Sequence, residues 1–329
     1  MHRKFSIHLL LTLTALTINS VVHAQDEKPK EPKKTAQELI EPTYANYAYG
    51  DHPRQVFDVY LAKSDKPTPV VFFIHGGGWV NGDKSSVKSL NIPRLNEAGI
   101  SVVSTNYRYV GQAAEAKVYP PVKWPLYDAA RALQTVRSKA KEWNLDPEKI
   151  GASGGSAGAC TSLWLAMHDD LADPKSDDPI ARQSTRLSCA YVSGAQTTLD
   201  PQILREWIPN SVYGGHAFGV HGRSTQDKDK AEKFQQFYDE REKRLAQINE
   251  YSPLNHASSD DPPLYLFYSQ KDMYEKGTKQ TDPTHSVGLG FILKEKFKDR
   301  DDVIVAYTGD PSVKAPSSTN YFLEFFKQK

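Results

Sequence analysis

The chain has 329 residues, 39% hydrophobic and 11% aromatic, with 41 Lys plus Arg set against 40 Asp plus Glu. So even a charge balance offers no field to draw a polyanion or an anionic lipid surface, and neither nucleic-acid binding nor stable membrane insertion is expected. The length suits one large domain or two small ones.

At the N-terminus, Arg3 and Lys4 precede an apolar run from Phe5 to Val22, and small residues flank His23 in Val22-His23-Ala24. This pattern predicts a secretory signal peptide over residues 1–24, cleaved before Gln25, and a secreted or periplasmic product. The run is interrupted by threonines and short for a membrane span, and no later stretch is apolar enough to cross a bilayer. Residues 25–40 are charged and contain prolines, which predicts a mobile linker. A single folded domain is expected over residues 41–329.

From about Tyr44 strands and helices alternate. Gln55–Leu61 reads as a strand, and Val70–Ile74 as a strand buried on both faces. Ser85–Ala98 is predicted helical, Ile100–Asn106 a strand, and Trp124–Trp143 a helix with Asp128 in its first turn. A short strand at Lys149–Ala152 runs into Ser153-Gly154-Gly155-Ser156-Ala157-Gly158, and a helix follows to about His168. Leu187–Ser193, Leu264–Ser269 and Val303–Tyr307 are further strands. Helices are expected at Ser286–Lys298 and Ser318–Lys327. Alternation of this kind implies a mostly parallel sheet with helices on both faces. It fails over about residues 202–252, where a charged helix at Lys228–Ile248 carries Phe234, Phe237, Tyr238, Leu245 and Ile248 on one stripe. That insertion is either a solvated surface helix or a cap over a site.

Cys160 and Cys189 would meet oxidising conditions after export. A bond between them would close about 30 residues and contribute ~3–4 kcal/mol. Cys160 is expected near the top of the sheet and Cys189 near the bottom, so two buried thiols are the default.

Gly154-Gly155-Ser156-Ala157-Gly158 matches G-x-S-x-G between a strand and a helix, where a nucleophile is held on a strained turn by close approach of the two elements. His75-Gly76-Gly77-Gly78-Trp79 follows the buried strand ending at Ile74. Side-chain-free residues let main-chain N–H groups reach a developing oxyanion, so Gly77, Gly78 and Ala157 are the expected donors. A phosphate loop would want Gly-Lys-Ser/Thr, which is absent.

With these motifs the chain resembles the esterase/lipase group of α/β-hydrolases that carry an HGGG oxyanion loop, related to hormone-sensitive-lipase-like and acetylxylan- or feruloyl-esterase-like enzymes. The likeness runs through Val59-Tyr60-Leu61, His75–Lys84, Asn106-Tyr107-Arg108, Pro125–Asn144, Asp146-Pro147, Gly151–Gly158 and Ser252-Pro253 to Asp272. Ala159 departs from it, standing where the group usually has a second glycine. The resemblance implies an α/β-hydrolase fold, a serine carboxylesterase and no metal or organic cofactor. The substrate would be a small-molecule or polysaccharide ester, with acetyl or feruloyl esters foremost.

The resemblance also places an acid in the loop after Leu264–Ser269, where Asp272 stands. A histidine is expected after the last strand, yet Thr308–Ser318 contains none. His285, at the start of the next helix after Asp272, lies on the catalytic edge of the sheet and is the leading base. His216 and His221 in the insertion remain alternatives, and His256 reads as a surface residue. Without a base the protein would be a ligand-binding or inactive hydrolase relative. A peptidase is a weaker reading, since no propeller-like domain precedes the hydrolase part. Trp79, Trp124 and Trp207 are candidate sugar-stacking faces.

Overall fold

Eight strands of the described residues form one sheet, in the order β1-β2-β4-β3-β5-β6-β7-β8. The structure, a computed structural model, describes residues 40–220, 229–313 and 315–328. The expected signal peptide, the linker up to residue 39 and His221 lie outside the described residues. In chain order the elements are β1 (Tyr44–Ala48), β2 (Val56–Tyr60), β3 (Thr68–Ile74), α1 (Ile92–Glu97), β4 (Ser101–Thr105), α2 (Val110–Glu115) and α3 (Lys123–Ser138). They continue with β5 (Leu145–Gly155), α4 (Ala157–Met167), β6 (Cys189–Ser193), α5 (Pro201–Trp207), α6 (Lys230–Asp239) and α7 (Arg241–Tyr251). The chain closes with β7 (Leu264–Tyr268), α8 (Gly288–Lys296), β8 (Val303–Tyr307) and α9 (Ser318–Lys327). β1–β2 and β2–β4 pair antiparallel; all other neighbours pair parallel. This is the α/β-hydrolase fold. No helix among the described residues is long and apolar enough to cross a membrane.

The apolar run of β3 is continuous because both faces of the sheet are covered. Successive strand side chains point to opposite faces. Val70, Phe72 and Ile74 therefore enter one core with α3 and α4, while Val71 and Phe73 enter a second with α1 and α9. Cys160 belongs to the first core and Cys189 to the second, so the sheet itself separates the two thiols; neither is in a disulfide.

Two predicted helices are divided. Over Ser85–Ala98 a 3₁₀ turn at Lys84–Ser89 ends on the extended Leu90, and α1 restarts with the Asn91 side chain accepting from Arg94 N–H and a proline in its first turn. A capping side chain plus an N-terminal proline favour a fresh start over a continued helix. Lys228–Ile248 becomes α6 and α7, joined at Glu240. The break turns Phe234 and Phe237 of α6, and Ile248 and Tyr251 of α7, into the core, leaving Tyr238 exposed. The insertion is tied down by Arg241, which donates to both Asp200 oxygens at 2.8 and 2.7 Å.

Candidate active site

The end of β5 and the start of α4 meet at Ser156, whose φ of 53° and ψ of −122° place a non-glycine residue in a strained region. Such a turn needs helix and strand almost in contact. A Cβ on Gly154 would come 2.6 Å from the Ile74 carbonyl oxygen, and one on Gly158 2.1 Å from the same atom. Both glycines of the motif are therefore steric requirements of the elbow.

Ser156 Oγ lies 2.8 Å from His285 Nε2. His285 Nδ1 lies 2.8 Å from Asp282 Oδ2, and the His285 N–H donates to Asp282 Oδ1 at 3.3 Å. The carboxylate fixes the tautomer: Nδ1 carries the proton and donates, leaving the Nε2 lone pair for the serine hydroxyl. The imidazole packs on Gly194, where an added Cβ would stand 3.2 Å from its Cδ2. Its loop is held from behind by Gln196 Nε2 donating to the Thr284 carbonyl at 2.7 Å.

The acid on this histidine differs from the expected one. Asp272 borders the same cavity, but His285 Nδ1 is bonded to Asp282. The pairing is local: Asp282 Oδ1 also accepts from Thr284 N–H at 3.1 Å, so the Asp-Pro-Thr-His turn brings its own carboxylate to the ring. Loop residues 269–287 are long enough to make that turn without reaching back to the end of β7. The Asp-x-x-His spacing was the sequence signal that could have found it.

The HGGG loop lies against the elbow. A Cβ on Gly76 would stand 2.7 Å from the Gly155 carbonyl oxygen, and Gly76 borders the cavity beside Ser156. Gly77 and Gly78 follow with φ of 104° and 61°, the left-handed conformation that favours glycine. Ala157 opens α4, where the first N–H groups have no intrahelical acceptor. The loop's carbonyls are occupied instead. Tyr107 Oη donates to those of His75 and Gly76 at 2.9 and 3.1 Å, and Gly77's accepts from Val80 N–H at 3.0 Å and Asn81 N–H at 3.1 Å. That of Gly78 takes the His216 Nε2 proton at 2.9 Å. With its carbonyls held this way, the loop has fixed peptide planes, which oriented N–H donors require.

His216 thus sits behind the HGGG loop and is not the partner of Ser156. It is 2% exposed, and no described residue of the insertion borders the cavity. Replacing it with alanine strips a buried carbonyl of its donor, at about 1–3 kcal/mol. If Gly78 serves the transition state, His216→Ala should lower kcat about tenfold or more with KM nearly unchanged, measured by steady-state ester hydrolysis.

His75 is also structural. Its ring stacks on Tyr107 with centroids 4.2 Å apart, Nδ1 donates to the Gly76 carbonyl at 2.7 Å, and Nε2 faces Arg54 Nη2 at 3.2 Å. Burial, helped by Arg54 and opposed by the Gly76 bond, lowers its pKa from 6.5 to about 4. Between these values the unfolded chain binds a proton that the folded chain refuses, so stability falls as pH drops from 6.5 towards 4. The expected contribution is about 3 kcal/mol, read from urea midpoints across that window and flattened in His75→Phe.

The cavity beside Ser156 has a volume of about 810 Å³, and its lining includes the hydroxyl residues Ser86, Ser89, Ser269, Thr281 and Ser318, with the largely buried Phe73 and Tyr191 at its margin. Trp79 and Trp207 are buried and offer no face to a sugar; Trp79 instead ties the HGGG loop to α4 by donating to Thr161 Oγ1 at 3.0 Å. Trp124 is covered by the Arg108 guanidinium, 3.9 Å from its ring centroid. His256 does not line the cavity; its ring packs on that of His168 at the end of α4, and its Nε2 is bonded to the Glu250 carbonyl.

Known proteins agree with this frame. Esterase LipC of Mycobacterium tuberculosis is 25% identical over 237 residues, covering 68% of this chain and 50% of that protein. A probable isoprenylcysteine α-carbonyl methylesterase of Arabidopsis thaliana is 29% identical over 154 residues, covering 46% of this chain and 31% of its own length. This chain spans half or less of these relatives. Among solved structures, an acetyl ester-xyloside bifunctional hydrolase from Caldicellulosiruptor lactoaceticus superposes with a TM-score of 0.56 at 22% identity, covering 83% of this chain and 87% of that one. That likeness speaks for the fold. The BD-FAE family model matches residues 57–280, well over half the chain, so this α/β-hydrolase belongs to the BD-FAE family.

Proposed function

We propose that the protein is an exported carboxylic-ester hydrolase with Ser156 as nucleophile, His285 as base and Asp282 as its orienting acid. The observation that carries this is the Ser156 Oγ–His285 Nε2 contact of 2.8 Å, backed by the carboxylate on Nδ1. Ser156 Oγ attacks the ester carbonyl while His285 Nε2 takes its proton. The N–H groups of Gly77, Gly78 and Ala157 hold the oxyanion of the tetrahedral intermediate. On collapse, His285 gives the proton to the leaving alcohol. A water, deprotonated by the same nitrogen, then releases the acyl group. A binding protein would not need an imidazole on the serine, and the Ser156–His285 contact therefore favours turnover over a binding role.

The substrate we assign is an acetyl or feruloyl ester of a polysaccharide. Its support is the set of serine and threonine side chains along the cavity, together with the acetyl ester-xyloside hydrolase named above. Export rests on the N-terminal sequence pattern. The test is a stopped-flow assay with nitrophenyl acetate, joined to acetate release from acetylated xylo-oligosaccharides. A nitrophenol burst followed by turnover, with faster release from the oligosaccharide than from simple alkyl acetates, is expected. Labelling of Ser156 by a fluorophosphonate without any turnover would sink the hydrolase reading. Turnover with no preference for sugar esters would leave only the substrate assignment refuted.

A further inference from the structure

At the far end of α4, about 18 Å from the elbow at 1.5 Å per residue, His168, Glu250 and His256 converge from three elements. His168 caps α4, Glu250 lies on α7, and His256 ends the 3₁₀ turn Pro253–His256. One ligand atom from each can be chosen such that all three lie within 4.8 Å of one another. His168 Nε2 and Glu250 Oε1 are 3.4 Å apart, close to the ~3.4 Å edge of a tetrahedral site with bonds of about 2.1 Å. All three residues are partly accessible to solvent.

The tautomers matter more than the proximity. His168 Nδ1 lies 2.8 Å from the Asp169 carbonyl oxygen, and His256 Nε2 lies 2.7 Å from the Glu250 carbonyl oxygen. A carbonyl accepts only, so these nitrogens carry the protons; His256 Nδ1 keeps its lone pair, and His168 Nε2 faces the Glu250 carboxylate across 3.4 Å, where a cation can stand in place of a proton. Pinning one ring nitrogen by a backbone carbonyl is how metal-binding imidazoles are oriented and made more basic. The Glu250 carbonyl is itself fixed by Trp164 Nε1 at 2.9 Å, and Trp164 packs against the His168 ring with centroids 4.6 Å apart.

We infer that His168, Glu250 and His256 form a binding site for a borderline divalent cation of the Zn²⁺ type, which ties the inserted helix α7 to the end of α4. Two imidazoles and one carboxylate suit zinc better than calcium or magnesium, which want oxygen ligands. Three protein ligands leave a position for water. The site is remote from Ser156, so the ion acts on stability and takes no part in ester chemistry. It is independent of the function proposed above.

The test uses the full chain stripped with chelator and titrated with Zn²⁺, followed calorimetrically, with Co²⁺ absorption and Trp quenching as parallel readouts. We expect one saturable ion per chain and a Tm raised by about 5 °C at a hundredfold excess over Kd. Binding should weaken at least about tenfold in Glu250→Gln and in His168→Ala, with ester turnover kept. Glu250→Gln preserves the backbone carbonyl that anchors Trp164 and His256, so it separates ligation from folding. The inference is overturned if wild type binds no more zinc than Glu250→Gln. It is equally overturned if binding is lost in His285→Ala and not in Glu250→Gln, which would place the ion at the serine site.

Discussion

Asp282→Asn is expected to lower kcat about 100- to 1,000-fold on nitrophenyl acetate, whereas Asp272→Asn should stay within about threefold of wild type. The carboxylate at His285 Nδ1 holds the productive tautomer and stabilises the imidazolium formed as Ser156 is deprotonated. In a buried triad its loss costs about 10,000-fold. Here the side chains of Asp282 and His285 are 62% and 39% exposed, so water screens the charge and the smaller figure is the better expectation. An asparagine at 282 can still accept from Nδ1, so KM should move little and the loss should fall on kcat. The opposite pattern, a large loss in Asp272→Asn and a small one in Asp282→Asn, would mean that the 269–287 loop rearranges in the working enzyme to bring Asp272 to the ring.

That contrast also shows what could be read from the chain and what could not. The elbow and the tight HGGG loop are legible because their glycines answer to backbone contact: an added Cβ at Gly154, Gly158 or Gly77 would fall under 3 Å from a carbonyl oxygen. β8 and α9 match their expected bounds, since a buried strand and a terminal amphipathic helix are set by local pattern. His285 was placed beside Ser156 by topology alone, because whatever follows β7 must emerge at the same sheet edge as the elbow. The resemblance points to Asp272, whereas the structure pairs His285 with Asp282, because a carboxylate three residues before the ring reaches it within one turn. The bond of His216 to the Gly78 carbonyl depends on packing between residues 138 apart, for which the sequence carries no local sign. The same holds for Trp79 and Trp207, whose burial follows from tertiary packing.

Ser156→Ala and His285→Ala should each lower kcat about 10,000- to 1,000,000-fold, and the double variant should lose no more than the worse single one. Nucleophile and base act as a unit: without the hydroxyl the imidazole has nothing to deprotonate, and without the imidazole the hydroxyl is a weak nucleophile. The free energies therefore cannot add. Two independent losses multiplying in the double variant would show that His285 serves some step other than activating Ser156. Stability supplies a second axis. Ser156 holds a φ of 53° that costs a non-glycine residue about 1 kcal/mol or more, so Ser156→Gly should raise the unfolding midpoint while abolishing turnover. Ser156→Ala keeps the strain and should unfold near the wild-type midpoint. A variant that is stabler and dead, beside one that is merely dead, would show that the fold bears this strained turn for the sake of the hydroxyl it presents to His285.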